Sequence, residues 1–223
     1  MIDRKLTRSV NRRITEDWRR EVPSLGVYRP RHLLRRVGPL LVGICLDRDS
    51  GGATYMPCFH VHSLCDEDGT VSLMLRTQLS SDRSGGPDHV PVRWHDERYR
   101  EAAARMVRQS LLPLEGDLRL AQVLDAYRRY MATPLGRWQS ALLYRDMVLL
   151  STWVGDPAQA RRLLDEALRV VTDEVCYRPL DGRAAFEQYC RERIARPELV
   201  HQTVESQIVA LKVGRLPVSD LLR

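Results

Sequence analysis

Lysine is nearly absent from this chain of 223 residues. Only Lys5 and Lys212 occur, so 33 of the 35 basic residues are arginine, a bias typical of a GC-rich bacterial genome. The sequence contains neither the P-loop pattern G-x-x-x-x-G-K-[ST] nor a kinase lysine motif. The patterns G-x-S-x-G, H-E-x-x-H and S-x-x-K are absent as well. We therefore expect a bacterial protein that is not an enzyme of these classes.

Long apolar runs are also missing. The longest candidate, LLVGICL, falls far short of the roughly 20 residues that a membrane helix needs. The opening stretch MIDRKLTRSVNRR carries charge but lacks the apolar core of a signal peptide. The five cysteines form no C-x-x-C pair, which favours reduced thiols over disulfides. A cytoplasmic protein without a membrane partner is the expectation.

Positive charge is concentrated at the front of the chain. Residues 1–36 hold eleven basic and four acidic side chains, whereas the remaining residues are close to neutral. Within this stretch an apolar residue recurs every four positions from Leu6 to Val22, which predicts an amphipathic helix. Five arginines lie outside its apolar stripe: Arg8, Arg12, Arg13, Arg19 and Arg20. They are either solvated or contact nucleic acid or an acidic protein partner.

The pattern of apolar residues predicts an α+β protein. Residues 39–47, 55–64 and 70–79 have the length and composition of strands, and 80–88 that of a loop. After His95 the period becomes helical. We expect an N-terminal helix plus a small antiparallel sheet in a strand-rich region 1–95. A C-terminal all-helical bundle of about six helices is expected to follow in a region 96–223, with helices at 96–112, 117–132, 137–154, 158–175, 182–195 and 198–213.

One predicted helix pair resembles a tetratricopeptide repeat. Its large, small and aromatic packing positions are matched within residues 144–168 by Tyr144, Met147, Val148, Gly155, Ala160, Leu164 and Ala167. Ser151 stands where that repeat has an aromatic residue, and a shift of 34 residues finds no second copy. The resemblance implies a tightly packed helix hairpin and a scaffold-like helical surface, and it carries no binding residues across.

The stretch CFHVHSLC, residues 58–65, is the densest group of metal-ligand residue types. On a strand, Cys58, His60 and His62 share one face, and thiolate and imidazole are zinc ligands. A zinc ion at these residues would support a metal-dependent hydrolase or nuclease. The two histidines could instead act as acid and base or bind phosphate without a metal. In the third alternative they are simply hydrogen-bonded side chains, and no cofactor is then predicted.

Taken together, these observations favour a non-enzymatic bacterial subunit or adaptor that assembles with a larger protein partner. Nucleic acid is a second predicted partner, contacted through the basic N-terminus. Aromatic residues and arginine dominate interface energetics. The candidate interface anchors are therefore Trp18, Trp138, Tyr127 and Tyr130.

Overall fold

The computed structural model describes residues 7–67, 69–82, 84–170 and 182–223. Its elements, in chain order, are α1 Arg8–Glu21, β1 Gly26–Arg29, β2 His32–Val37, β3 Leu40–Arg48, β4 Thr54–Ser63, β5 Met74–Gln78, β6 Val90–Pro91, α2 His95–Gln109, β7 Leu118–Arg119, α3 Leu120–Met131, α4 Pro134–Trp138, α5 Ser140–Trp153, α6 Pro157–Val170, α7 Gly182–Ala195, α8 Pro197–Ala210, β8 Val218–Ser219 and β9 Leu221–Leu222. A 3-10 turn at Val92–Trp94 precedes α2. No helix in these ranges has both the length and the apolar character to cross a membrane.

The predicted α+β class is confirmed: an N-terminal helix is followed by a mainly antiparallel sheet and then by helices. The chain divides into two compact units. The first comprises residues 1–62, 72–116 and 215–219, and the second comprises 63–71, 117–214 and 220–223. Helix α2 therefore belongs to the unit that contains the sheet, although its sequence places it in the predicted helical region.

The sheet of the first unit has the strand order β1-β2-β3-β4-β5. Strand β6 pairs with β4 antiparallel, and β8 joins β2 in parallel. Strands β3 and β4 are neighbours, as the predicted hairpin requires. Strands β1 and β2 were not predicted from the sequence. In β2, His32 lies directly opposite Cys45 of β3, and Leu34 lies opposite Gly43.

Helix α1 begins after Thr7, whose hydroxyl accepts a hydrogen bond from the Val10 amide. Ile14 and Trp18 of the predicted apolar stripe are buried, and the helix packs against β1, β2 and α2. Leu6, the first residue of that stripe, lies outside the described residues. Such a helix gains its stability mainly by packing its apolar face. The arginine side chains are left at the surface on either side of this face.

The second unit is organised around α5, which contacts α3, α6, α7 and α8. Helix α5 is buried along most of its length, including Leu143, Met147 and Leu150. A helix surrounded by other helices needs apolar residues on all sides, which explains its weak amphipathic character. Helices α5 and α6 and the turn at Gly155 occupy the tetratricopeptide-like segment, and membership of that family stays a prediction. Residues 171–175 of the predicted helix 158–175 lie outside the described residues.

Candidate functional site

The five arginines predicted to contact a partner fall into two groups. Three of them form ion pairs within the first unit. Arg19 Nε lies 2.9 Å from Glu16 Oε2, and Arg20 Nη1 lies 3.0 Å from Asp17 Oδ1. Arg13 forms an ion pair with Asp96 and lies near Asp17, with 3.6 Å between Arg13 Nε and Asp17 Oδ2. Their charges are therefore largely compensated within the protein.

Arg8 and Arg12 form the second group. Both are exposed, and neither guanidinium has an ion pair or hydrogen bond with another residue in the part of the chain that the structure describes. They lie beside a cavity of about 800 Å³, which we call the α1 groove. It is lined by Thr7, Arg8, Ser9, Arg12, Thr15, Glu16, Val27 and Pro30. The α1 groove therefore combines two uncompensated cations with apolar wall residues from β1 and the turn after it.

The residues of the CFHVHSLC stretch lie inside the first unit. His60, His62 and Cys58 are fully buried. His60 Nε2 lies 2.7 Å from His32 Nε2, so one of these two nitrogens donates and the other accepts. His62 Nδ1 accepts a hydrogen bond of 3.1 Å from the Ser72 amide. The structure thus pairs each histidine with a different partner.

The pKa values of the two contacting histidines follow from their burial. Burial and, to a smaller extent, the nearby Arg29 guanidinium lower the pKa of His32 to about 4. Burial also holds the pKa of His60 well below its usual range, with a smaller effect from the neighbouring His32. Both imidazoles are therefore neutral near pH 7.

The described residues contain a single group of three metal-ligand side chains whose donor atoms lie close together, namely Asp17, His95 and Asp96. His60, His62 and Cys58 are not part of such a group. Cys58 Sγ instead lies 3.5 Å from Arg76 Nη2, and burial raises the pKa of this thiol. The arrangement does not support a hydrolase built on His60 and His62, because neither side chain has exposed surface for a substrate to reach.

A buried chain of hydrogen bonds links α1, β4 and α2. Trp18 Nε1 donates to Tyr55 Oη at 3.2 Å, and an indole nitrogen can only donate. The Tyr55 hydroxyl therefore directs its own proton to His95 Nδ1, 2.8 Å away. In that tautomer, His95 Nε2 carries the proton that it donates to Asp17 Oδ2 at 3.0 Å. Burial lowers the pKa of His95, and the hydrogen bond that His95 donates to Asp17 partly offsets this effect.

Three of the four predicted interface anchors lie in the core. Trp18, Tyr127 and Tyr130 are buried, and the Tyr127 hydroxyl donates to Asp146 Oδ2 at 3.2 Å. These residues cannot anchor a partner at the surface, because packing within their own units already covers them. Trp138 of α4 is 79% exposed and is the one of the four whose side chain is accessible. Its role as an interface anchor stays a prediction.

Two features of the site were missed from the sequence. His32 lies on the unpredicted strand β2, so its contact with His60 could not be anticipated. Asp17 and His95 are 78 positions apart, and only the packing of α1 against α2 brings them together. The sequence offers one hint of the second contact, namely that Asp17 comes directly before Trp18, a residue of the predicted apolar stripe.

The chain matches no protein-family model, no curated protein and no solved structure.

Proposed function

We propose that this protein is a non-enzymatic bacterial subunit or adaptor that docks an acidic segment of a larger protein partner in the α1 groove. The observation that supports the proposal is the pair Arg8 and Arg12, which have no carboxylate partner among the described residues and lie beside a cavity of about 800 Å³. Uncompensated cations beside a concave surface are a feature of electrostatically complementary interfaces.

The composition of the α1 groove favours an acidic peptide over a nucleic acid. Val27 and Pro30 offer apolar contact beside the two guanidinium groups. An acidic segment that also contains apolar residues would use both kinds of surface, whereas a phosphate backbone would use only the cations. Arginine also suits carboxylates, because its planar guanidinium binds them in a bidentate manner.

The number of uncompensated cations leads to the same preference. Proteins that hold duplex DNA by its backbone make about 6–10 phosphate contacts and show a correspondingly steep loss of affinity with salt. In helix α1 only Arg8 and Arg12 are left without an internal carboxylate. If these two arginines were the only phosphate contacts, the salt slope would be about −2, too shallow for a backbone-driven nucleic-acid interface. Weak salt dependence is therefore expected of the complex.

Ion pairs at this exposed position supply only part of the affinity. Exposed pairs contribute about 0.2–1 kcal/mol each, so the apolar residues of the groove must contribute the rest. The two arginines then determine mainly which segments bind and how fast they associate. Because apolar contacts and ion pairs are both needed, we expect a partner segment in which apolar residues are interspersed among acidic ones.

The test is an affinity pull-down from the native host at moderate salt, with nuclease added and the recovered proteins quantified by mass spectrometry. The wild type is compared with Arg8→Gln/Arg12→Gln and with Arg19→Gln/Arg20→Gln. Both double variants remove two positive charges from exposed positions of the same helix. They therefore have the same net charge, and the Arg19/Arg20 variant differs in that it also breaks the exposed pairs with Glu16 and Asp17.

We expect one stoichiometric protein partner that survives nuclease, that is lost from the Arg8/Arg12 variant and that is retained by the Arg19/Arg20 variant. Equal loss from both variants would show that net charge, and not the α1 groove, attracts the partner. Recovery of nuclease-sensitive material alone would replace the acidic protein with a nucleic acid as the partner.

A further inference from the structure

Asp17, His95 and Asp96 converge where α1 packs against the first turn of α2. One donor atom from each residue lies within 4.8 Å of the donors of the other two. Asp17 and His95 are buried, whereas Asp96 reaches the surface. Next to them is a cavity of about 150 Å³ whose lining includes His95 and Asp96. The cluster therefore combines a buried end with an opening towards solvent.

The distance between the His95 and Asp17 donors is close to that of two ligands on one metal ion. Two donors bound to one ion at about 2.0–2.1 Å lie about 3.0–3.4 Å apart, depending on the geometry. His95 Nε2 and Asp17 Oδ2 are 3.0 Å apart. Small rotations of the Asp96 side chain, which is more than half exposed, would bring its carboxylate to the same ion. Water molecules in the adjoining cavity would complete the coordination.

Arg13 already places a positive charge beside the two carboxylates. Its guanidinium pairs with Asp96, and its Nε lies 3.6 Å from Asp17 Oδ2. The Arg13 side chain is 53% exposed, so it can leave the carboxylates without disrupting the core. Arg13 thus acts as an internal cation that competes with an external one for the same two carboxylates.

The geometry points to a divalent transition-metal site formed by Asp17, His95 and Asp96, with Arg13 as the competing internal cation. One imidazole and two carboxylates suit zinc, manganese or cobalt, whereas calcium and magnesium favour all-oxygen sites. This site is independent of the docking surface in the α1 groove. It also differs in every residue from the zinc site predicted at Cys58, His60 and His62.

The second nitrogen of His95 has the partner that a metal-bound imidazole needs. When Nε2 binds a metal, the proton moves to Nδ1, which then donates to the Tyr55 oxygen at 2.8 Å, and the Tyr55 hydroxyl has to turn its own proton away from His95. Such partners orient the ring and make it a better ligand. Tyr55 is held in turn by the indole of Trp18. Tyr55 is therefore a positioning residue for His95.

One feature of the fold opposes cation binding and limits the expected affinity. Helix α2 begins at His95, so the positive end of its dipole, about half an elementary charge, faces the site. The carboxylates of Asp17 and Asp96 bring two formal negative charges, which outweigh it. Arg13 competes for both carboxylates, and Arg20 pairs with the other oxygen of Asp17. We therefore expect moderate affinity in the wild type and higher affinity once Arg13 is removed.

The test is a titration of the full chain with Co²⁺, followed by calorimetry and by the visible absorption of bound cobalt. Asp96→Asn removes a proposed ligand, and Glu97→Gln is its control, because Glu97 is exposed and also lies in the first turn of α2. Arg13→Gln removes the competing cation, and Arg12→Gln removes the same charge one position earlier. Urea unfolding verifies that all four variants are folded.

We expect one cobalt ion per chain, an affinity that falls about tenfold or more in D96N, and little change in E97Q. R13Q should bind more tightly than the wild type, and R12Q should not. Equal weakening in D96N and E97Q would show a general effect of charge and would overturn the site. So would a lack of binding at millimolar cobalt in both the wild type and R13Q.

Discussion

Two histidine clusters in the first unit differ in what surrounds their imidazole rings. In the sheet cluster, His32 lies on β2 and both His60 and His62 lie on β4, the two strands that flank β3. His32 and His60 contact each other, and His62 contacts Ser72. In the helix cluster, His95 lies between Tyr55 and the carboxylate of Asp17. The sheet cluster has more histidines, but among the described residues only the helix cluster has carboxylates directed at the same point. Convergence of charged donors, and not the number of ligand residues in a short stretch, therefore distinguishes a candidate metal site.

The largest loss of stability is expected from a substitution in β3, the strand that lies between the two strands of the sheet cluster. Gly43 lies on this strand between β2 and β4, on the same face as Cys45, whose partner across the strand is His32. A Cβ atom at Gly43 would lie 2.0 Å from the Leu33 carbonyl oxygen, so β2 would have to move. We expect Gly43→Ala to lower the free energy of unfolding by about 3 kcal/mol or more in urea titrations.

Gly51→Ala is the matched control for this prediction. Gly51 is exposed in the β3–β4 turn, and a Cβ atom there would meet nothing within 4 Å. The free energy of unfolding should be unchanged or should rise by about 0.4–1 kcal/mol, because alanine restricts the unfolded chain. Similar losses in the two variants would mean that β2 and β3 are not as close as the structure places them.

A smaller effect, specific to the sheet cluster, is expected on acidification. The folded-state pKa of His32 is about 4, below its ordinary value of 6.5, so the unfolded state binds more protons between these pH values. The contribution of the neutral His32 to stability is therefore complete above pH 6.5 and is lost as the pH falls towards 4. The contribution of His32 alone amounts to about 2 kcal/mol at pH 5, where most carboxylates are still charged.

Urea unfolding between pH 7.5 and pH 5 would measure this dependence. In His32→Gln the slope of the unfolding free energy against pH should fall but not vanish, because burial also lowers the pKa values of His60 and His95. His89→Gln removes an exposed histidine and should leave the slope unchanged. An unchanged slope in His32→Gln would mean that His32 does not contribute to the acid sensitivity.

The sequence revealed the elements whose pattern reflects their burial. Helix α1 and strands β3 and β4 have regular apolar residues, and all three were predicted. Strand β2, with the sequence HLLRRV, was missed because Arg35 and Arg36 look like surface residues. Arg35 is in fact buried, and its guanidinium donates to the carbonyl oxygens of Pro113 and Gly116 at 2.9 and 2.5 Å. No local pattern reveals that a charged side chain has partners so far away along the chain.

The candidate functional surfaces, too, depend on partners that are distant in the sequence, and local patterns do not reveal them. The sequence identified α1 as the basic helix but could not separate Arg8 and Arg12 from the ion-paired Arg13, because Asp96 is 83 positions away. The helix cluster was invisible for the same reason. The stretch CFHVHSLC attracted attention because its residues are adjacent, yet adjacency on a strand gave its side chains different partners.

The smallest predicted effect is a difference in unfolding free energy between variants of two consecutive acidic residues of α1. The comparison separates the contribution of a buried carboxylate from that of an exposed one. Asp17→Ala removes the acceptor for His95 and Arg20, leaving the buried imidazole N–H without its partner. We expect the free energy of unfolding to fall by about 1–3 kcal/mol. Glu16→Ala removes only the exposed pair with Arg19, which is worth about 0.2–1 kcal/mol.

Alanine favours the helix at both positions, and the gain in helix propensity is larger at Asp17 than at Glu16, so propensity reduces the expected difference and cannot create it. Chemical denaturation at pH 7 therefore isolates the contribution of the buried hydrogen bond. Losses of equal size would show that His95 finds another acceptor when Asp17 is absent. The helix cluster would then owe its geometry to the packing of α1 against α2, and its carboxylate would be needed for binding a cation rather than for holding the fold.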